Sequence, residues 1–392
     1  DEAVTRILRV KERLGLFEDP FVDVKRAAQD VVTDRDHALA RETAEQSMTV
    51  LEQGILPLDA PDTVLVTGPN ADDPRAQHGG WTLGWQGLAT ETTPPTTTIL
   101  EGIRQQAPAG TTVEHVPTGR RALSNEGDVE RAAANADAVV AVLGEDSYAE
   151  NHGDIDDLRL PAGQRRLLTV LDDLPVPTVG VLLAGRPRGG DHLFEKTAGL
   201  LMAYQPGSKG GQAVGKALFG TINPGGRLPF TWPAETGSIP VAATKRGPMP
   251  DDQYRFPIGH TDQYTTMLVS GLYADPMSID PTETDRVTIE YTVENWGERR
   301  GDHLAAATID RQGSDPTTTP WTRLSNFQRL SLDPGEQRSV SIGVPIERVA
   351  VRDGDVAGGG EWVVPAGTLT LQVGPQQMDV TVTDTVPLSA LD

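Results

Sequence analysis

Two near-continuous apolar runs constrain this chain most. Residues 136–145, ADAVVAVLGE, and 178–187, TVGVLLAGRP, lack polar alternation through their middles, the pattern of strands covered on both faces. Such strands belong to parallel sheets, whose connections cross over, usually through a helix. The flanking sequence supplies those crossovers. ILEGIRQQ, DVERAAANAD, PAGQRRLLTVLDDL (with Pro161 near its start) and KGGQAVGKALFG read as helices, and TVLVTGPNAD, TTVEHV and AGLLMAY as further strands. Alternation over roughly 200 residues implies a layered α/β sheet with right-handed crossovers.

The hydrophobic period changes near residue 286. In VTIEYTVENWG the apolar Val287, Ile289, Tyr291 and Val293 alternate with polar residues up to an Asn-Trp-Gly turn, as in strands with one buried face. HLAAATID, FQRLSLDPGEQRSVSIGV and GTLTLQV repeat the pattern, so an all-β sandwich of about 100 residues is expected. Between the two regions, residues 236–285 read as a Pro-, Gly-, Asp- and Thr-rich connector. At the other end, AVTRILRVKERLGLF reads as an isolated helix stopping at Gly15, whose apolar face needs a partner lying upstream. An extended connector through Pro20 and Val22 follows. A second helix is then expected over HALARETAEQSMTVLEQG, capped by Thr33-Asp34 and ending at Gly54. Trp232, Trp296, Trp321 and Trp362 lie beside strand or turn patterns and are expected in the core.

The 392 residues carry a formal net charge of −22, with acidic residues spread along the chain and only six lysines among 34 basic residues. Nucleic acid and anionic membranes are repelled by such a surface and are excluded as partners. The same pattern resembles proteins adapted to high salt, where surface repulsion is screened. With no cysteine, thiol nucleophiles and disulfides are excluded. The seven histidines are scattered and form no metal-binding spacing, so neither a metal nor a cofactor is expected. GGQAVGKA imitates a phosphate-binding loop but lacks the Ser or Thr that would hold magnesium. The opening Asp1-Glu2-Ala3 has neither a methionine nor the regions of a signal peptide, and leads almost at once into a helix. It is read as the later part of a longer polypeptide, with compartment and dimerisation left open.

The densest chemistry lies in residues 144–161, GEDSYAENHGDIDDLRLP. Glu145, Asp146, Glu150, Asp154, Asp156 and Asp157 follow a buried strand directly, at the sheet edge where ligands of α/β folds gather. Position does not choose among them, and a solvated acidic loop is the plainer reading. A second candidate is HGGWTLGWQG (residues 78–87), where Trp81 and Trp85 sit between glycines. Aromatic faces suit the apolar face of a sugar, though packing is the commoner use of such residues.

The acidic loop resembles the acid/base loop of glycoside hydrolase family 3: Gly144, Glu145, Tyr148, Glu150, Gly153 and Asp154 stand in its register. RILRVKERLGLFEDPFVD is similar to the last helix and linker of that family's N-terminal (β/α)8 barrel. HALARETAEQSMTVLEQGILPL, HGGWTLGWQG, GGQAVGKALFGTINPGGRLPFTWP and FPIGHTDQYTT resemble landmarks of its α/β sandwich domain, and FQRLSLDPGEQRSVSIGV and GEWVVPAG its fibronectin type III-like domain. The resemblance implies a layered α/β/α sandwich with a mostly parallel sheet, followed by an all-β fibronectin type III-like sandwich. It divides the chain into residues 1–36 (last barrel helix and linker), 37–235 (α/β sandwich), 236–285 (connector) and 286–385 (fibronectin type III-like domain).

The activity so implied is removal of terminal β-D-glucosyl residues from β-glucosides or gluco-oligosaccharides, with retention. β-Xylosidase, β-N-acetylglucosaminidase and a non-catalytic carbohydrate-binding fragment are the alternatives. Glu150 would be the acid/base, protonated at the start of the cycle, as a desolvated site beside a second carboxylate favours. The nucleophile would be an aspartate of the absent barrel, the missing partner domain, so this chain alone is expected to be inactive. Trp85, Trp81 and Tyr148 would bind substrate, with Glu145 and Asp154 as loop supports and Asp146, Asp156 and Asp157 left to the solvated surface. The chain departs from the family pattern at Asn151-His152, Lys209 and Thr261-Asp262-Gln263.

Overall fold

A six-stranded sheet with the order β1-β6-β5-β4-β2-β3 organises the α/β region, and only its edge strand β1 runs antiparallel. The strands are β1 (Thr49–Glu52), β2 (Thr63–Thr67), β3 (Thr112–Val116), β4 (Ala138–Gly144), β5 (Thr178–Leu183) and β6 (Leu200–Met202). The computed structural model describes residues 2–88, 93–236, 254–311, 321–352, 360–374 and 376–391. It divides into two compact units, Asp1–Thr43 and Ala44–Asp392.

The first unit holds helices α1 (Glu2–Arg13) and α2 (Val24–Asp30) and most of α3 (Asp34–Ser47). The Asp23 carboxylate caps α2 by accepting from the backbone N–H groups of Lys25 and Arg26, an element not foreseen in the sequence. The apolar stripe of α1, with Val4, Ile7, Leu8 and Val10, is exposed, and α1 has no buried residue.

In the second unit, every residue of β4 and β5 is buried, as their unbroken apolar runs require. Helices α4 (Ile99–Gln106), α5 (Glu126–Ala133), α6 (Ala162–Asp172), the short α7 (Asp191–Glu195) and α8 (Gly210–Leu218) provide the covering layers. The phosphate-loop look-alike is a packing device. A Cβ on Gly102 of α4 would lie 1.8 Å from the Gly211 carbonyl oxygen of α8, so the two helices touch backbone to backbone. One expectation fails here. The helix expected to reach Gly54 ends at Ser47, and Thr49–Glu52 becomes strand β1, paired with β6. Met48, Thr49, Val50 and Leu51 are fully buried, and a β-branched stretch buried in this way gains more from the sheet edge than from another helical turn.

The remainder is a β-sandwich. A ribbon of β7 (Trp232–Pro233) and β8 (Tyr254–Phe256) precedes it. One sheet holds β9 (Met267–Asp275), β11 (Arg286–Asn295) and β14 (Gln337–Pro345). The other holds β10 (Ser278–Ile279), β12 (Gly301–Arg311), β13 (Trp321–Leu332), β17 (Gly367–Val373) and β18 (Gln376–Val382). Strands β15 (Val351–Arg352), β16 (Trp362–Val364) and β19 (Val386–Pro387) form a small third sheet. The alternation read in β11 is borne out, with Val287, Ile289, Tyr291 and Val293 all buried. The sandwich begins earlier than residue 286, because β9 pairs along β11; residues 237–253 of the expected connector lie outside the described residues. Of the four tryptophans expected in the core, Trp232 is buried, packed near Phe194, Phe230 and Phe256. Trp296 and Trp362 are exposed, the first because it rides a turn, the second because its strand lies in a small peripheral sheet. The side chain of Trp321 lies outside the described residues.

Candidate active site

The chain runs from β2 outward to β3 and then returns to the other side of β2 to form β4. This reversal makes the carboxyl ends of β2 and β4 a topological switch point, where neighbouring loops diverge and leave a crevice. The loop after β2 carries Trp81 and Trp85, and the loop after β4 is the acidic one. The fold therefore brings together two segments far apart in sequence.

Their contact is tight. Ser147 donates its hydroxyl to the Arg75 carbonyl at 3.0 Å and also bonds the carbonyl of His78. A Cβ on Gly80 would lie 2.2 Å from the Tyr148 carbonyl oxygen, and one on Gly87 2.4 Å from Ser147 Cβ. These glycines of the aromatic loop are there because the backbones approach so closely. Gln86 completes the join. Its side-chain oxygen accepts from the Ala149 N–H at 3.0 Å and its amide nitrogen donates to the Ala149 carbonyl at 3.1 Å.

Glu150 follows at once. It is exposed, has φ of +52°, and opens a single 3-10 turn, Glu150–Gly153. A glutamate in the left-handed region costs about 1–3 kcal/mol and persists only where its surroundings hold it. His152 on the same turn meets Trp85 edge to face, ring centroids 4.9 Å apart. Trp81, Leu83 and Trp85 are all exposed, and Trp81 and Leu83 also have positive φ. The loop is pinned internally by the Trp81 N–H donating to the Trp85 carbonyl at 3.0 Å. An exposed, constrained apolar patch of this kind marks an interaction surface more than it marks packing.

Beneath the turn lies an arginine the sequence did not single out. Arg186, just after β5, donates from Nε and Nη2 to Glu145 at 3.0 and 2.8 Å, and from Nη1 to the Gly153 carbonyl. Its guanidinium lies 4.1 Å above the Tyr148 ring. Arg188 approaches the same carboxylate at 3.5 Å and donates to the carbonyls of Asp157 and Arg159. Glu145, whose side chain is only 9% exposed, is thus a paired internal charge, as burial demands. Tyr148 has internal contacts as well: half-buried, it packs under Arg186 and against Gly153, and burial, then the charge of Glu145, push its hydroxyl up. Asp154 is exposed and its carboxylate has no partner among the described residues. Asp146 pairs with Arg120 at 3.0 Å while staying largely in solvent. Asp156 is exposed. Hydrogen bonds from the Arg159 side chain and backbone hold the Asp157 carboxyl down at about 2.

At the base of the loop, the fully buried Gln164 of α6 accepts from the Gly144 N–H and donates to the Gly144 carbonyl, both at 2.8 Å. Arg120 donates to the same carbonyl at 3.1 Å. Among the described residues no group of three or more His, Asp or Glu side chains could hold a metal ion, and no helix is long and apolar enough to cross a membrane.

The glycosyl hydrolase family 3 C-terminal domain matches residues 49–264, more than half of the 392. The chain belongs to glycosyl hydrolase family 3. A fibronectin type III-like domain matches residues 310–377, inside the sandwich. The chain is 31% identical over 402 residues to a β-xylosidase of Formosa agariphila, covering 95% of this chain and 53% of that protein. It is 38% identical over 257 residues to a lysosomal β-glucosidase of Dictyostelium discoideum, covering 62% and 31% respectively. In three dimensions it is similar to the β-glucosidase of Listeria innocua solved with gluconolactone. The TM-score is 0.84 at 26% identity, over 97% of this chain and 54% of that one. This family 3 chain therefore spans about half the length of several relatives it matches, or less.

Proposed function

We propose that the protein removes terminal non-reducing β-D-glucosyl residues from β-glucosides or gluco-oligosaccharides by a retaining double displacement, with Glu150 as acid and then base. The observation that supports this most is an exposed glutamate on a constrained turn, at the switch point of a parallel sheet, beside an exposed aromatic pair. In the first step Glu150 donates its proton to the glycosidic oxygen while a carboxylate attacks the anomeric carbon. The glycosidic C–O bond breaks, a glycosyl ester forms, and the aglycone leaves as an alcohol. In the second step Glu150 takes a proton from water as that water attacks the anomeric carbon, breaking its bond to the enzyme carboxylate and releasing the sugar with its β configuration restored.

The attacking carboxylate must stand about 5 Å from the acid. Glu145 is unsuited to that role, since Arg186 and Arg188 engage it. The nucleophile is assigned to a barrel domain outside this chain, which also supplies the desolvating walls that the exposed Glu150 lacks here. Trp85, and less directly Trp81, would offer their faces to the sugar beyond the scissile bond.

The test is Glu150→Gln in the protein translated from its complete reading frame. Turnover of glycosides with poor leaving groups should fall by about 10²–10⁴, and that of dinitrophenyl glycosides far less. Equal losses on both would refute the assignment. β-Xyloside cleavage is the second reading, favoured by the similarity to a β-xylosidase along nearly the whole chain. Comparing kcat/KM on aryl β-glucosides and β-xylosides decides between them.

A further inference from the structure

We infer that Arg186 and Gln86 are positioning residues for Glu150, a two-point clamp that sets where the acid's proton is delivered. The inference rests on the reading of Glu150 as the acid/base. Gln86 fixes the residue before Glu150 through both backbone polar groups of Ala149. Arg186 fixes the far end of the same turn through the Gly153 carbonyl, and is itself held by Glu145 and by the Tyr148 ring. Only Glu150, Asn151 and His152 lie between the two anchors, and all three are exposed.

The backbone between them does not rest in an ordinary well, because Glu150 has φ of +52°. A left-handed glutamate relaxes to negative φ when its neighbours are released. Relaxation of this kind swings the Cα–Cβ bond, and with it the carboxyl, away from its present direction. General acid catalysis requires the donor within hydrogen-bond reach of the leaving oxygen, so a displaced carboxyl loses proton transfer, a loss that matters most where the leaving group is poor. Arginine is specific to its place. Its planar fork bonds Glu145 and Gly153 together while its face lies on Tyr148, whereas the point charge of a lysine can satisfy only part of that set. Gln86 has a second consequence. It sits next to Trp85 in the aromatic loop, so one side chain ties the aglycone-facing ring to the position of the acid.

The experiment uses the protein from its complete reading frame and a pair of substrates, a dinitrophenyl and a phenyl β-glycoside of the sugar it accepts. Arg186→Lys and Gln86→Ala are each expected to lower kcat/KM on the phenyl glycoside by about tenfold or more and on the dinitrophenyl glycoside by about threefold or less, a fraction of the full acid contribution. In a Glu150→Gln background either change should produce no more than about a twofold further loss, since no acid remains to be aimed. Equal losses on the two substrates, or a further tenfold loss in that background, overturn the clamp. Glu150→Gln on its own separates the two ideas. If it responds to the leaving group and the clamp variants do not, the clamp fails and the acid assignment stands; if it does not respond, the acid assignment itself fails. Should Arg186→Lys fail to fold by circular dichroism, Gln86→Ala decides, because it leaves the Arg186–Glu145 pair untouched.

Discussion

Trp85 and His152 meet edge to face, ring centroids 4.9 Å apart and planes at 79°, so the aromatic loop after β2 touches the turn that carries Glu150. The contact leaves Trp85 43% exposed, and its unpaired surface is what a sugar ring would cover. Stacking of this kind contributes on the order of 1 kcal/mol. Trp85→Ala is therefore expected to raise KM for cellobiose or laminaribiose about fivefold, with a smaller effect on aryl monoglycosides. Unchanged kinetics on both disaccharides would remove the substrate-binding role of this ring.

Gln164 and Gly144 form the other decisive pair. One buried side chain satisfies both the N–H and the carbonyl of the residue at the root of the acidic loop. Gln164→Leu fills a similar volume but strands the N–H and strips the carbonyl of one donor, leaving that of Arg120. A stranded buried group costs about 1–3 kcal/mol, so a loss of about 2–4 kcal/mol is expected, read as a lower urea midpoint with an unchanged slope. A shift smaller than about 0.5 kcal/mol would mean that water replaces the amide.

What the sequence disclosed followed from local pattern. β4 and β5 were legible because strands covered on both faces leave no polar alternation, and ILEGIRQQ was legible as a helix, whose start proves to be a capping box of Thr98 and Glu101. β1 was misread because Met48 to Leu51 continues a helical apolar spacing, and only burial against β6 makes it strand. The acidic loop could be found, and its register with a known family drew attention to Glu150. Arg186, Gln86 and Gln164 were not legible. They lie 41, 63 and 20 residues from the loop positions they bond, and a lone polar residue carries no sign of the partner a switch point will bring to it. Similarly, Trp296 and Trp362 resembled core residues because residue type does not reveal which turn or sheet margin faces water.

His303 supplies a pH-dependent weakness in the sandwich. It is 3% exposed, with Nε2 at 3.0 Å from the Tyr291 hydroxyl. Burial, and then the nearby Arg227 guanidinium, push it down to about 4 from an ordinary value of 6.5. The unfolded chain takes up this proton first as pH falls. The stabilisation is thus complete above about pH 6.5, declines between 6.5 and 4, and is gone below 4. A shift of this size corresponds to about 3 kcal/mol. His303→Gln keeps a partner for Tyr291 and removes the titration, so its urea midpoint should fall less steeply across that window than the parent's. Parallel pH profiles for the two proteins would contradict this account.

Net charge supplies the last prediction. A formal charge of −22 on 392 residues, with only six lysines, leaves a surface whose carboxylates repel one another. Arginine pairs such as Arg166–Glu126 and Arg131–Asp128 offset this only locally and in exposed positions, where ion pairs contribute little. Screening length falls from about 30 Å at 0.01 M salt to about 3 Å at 1 M, so added salt removes the repulsion between carboxylates on neighbouring elements while leaving part-buried pairs such as Glu145–Arg186 in place. The melting temperature should rise steadily from 0.01 M to about 1 M sodium chloride. It should rise similarly with potassium chloride, because screening depends on ionic strength and not on the cation. A melting temperature independent of salt would mean that the acidic surface is already balanced by its arginines, and the adaptation to high salt suggested by the composition would be abandoned.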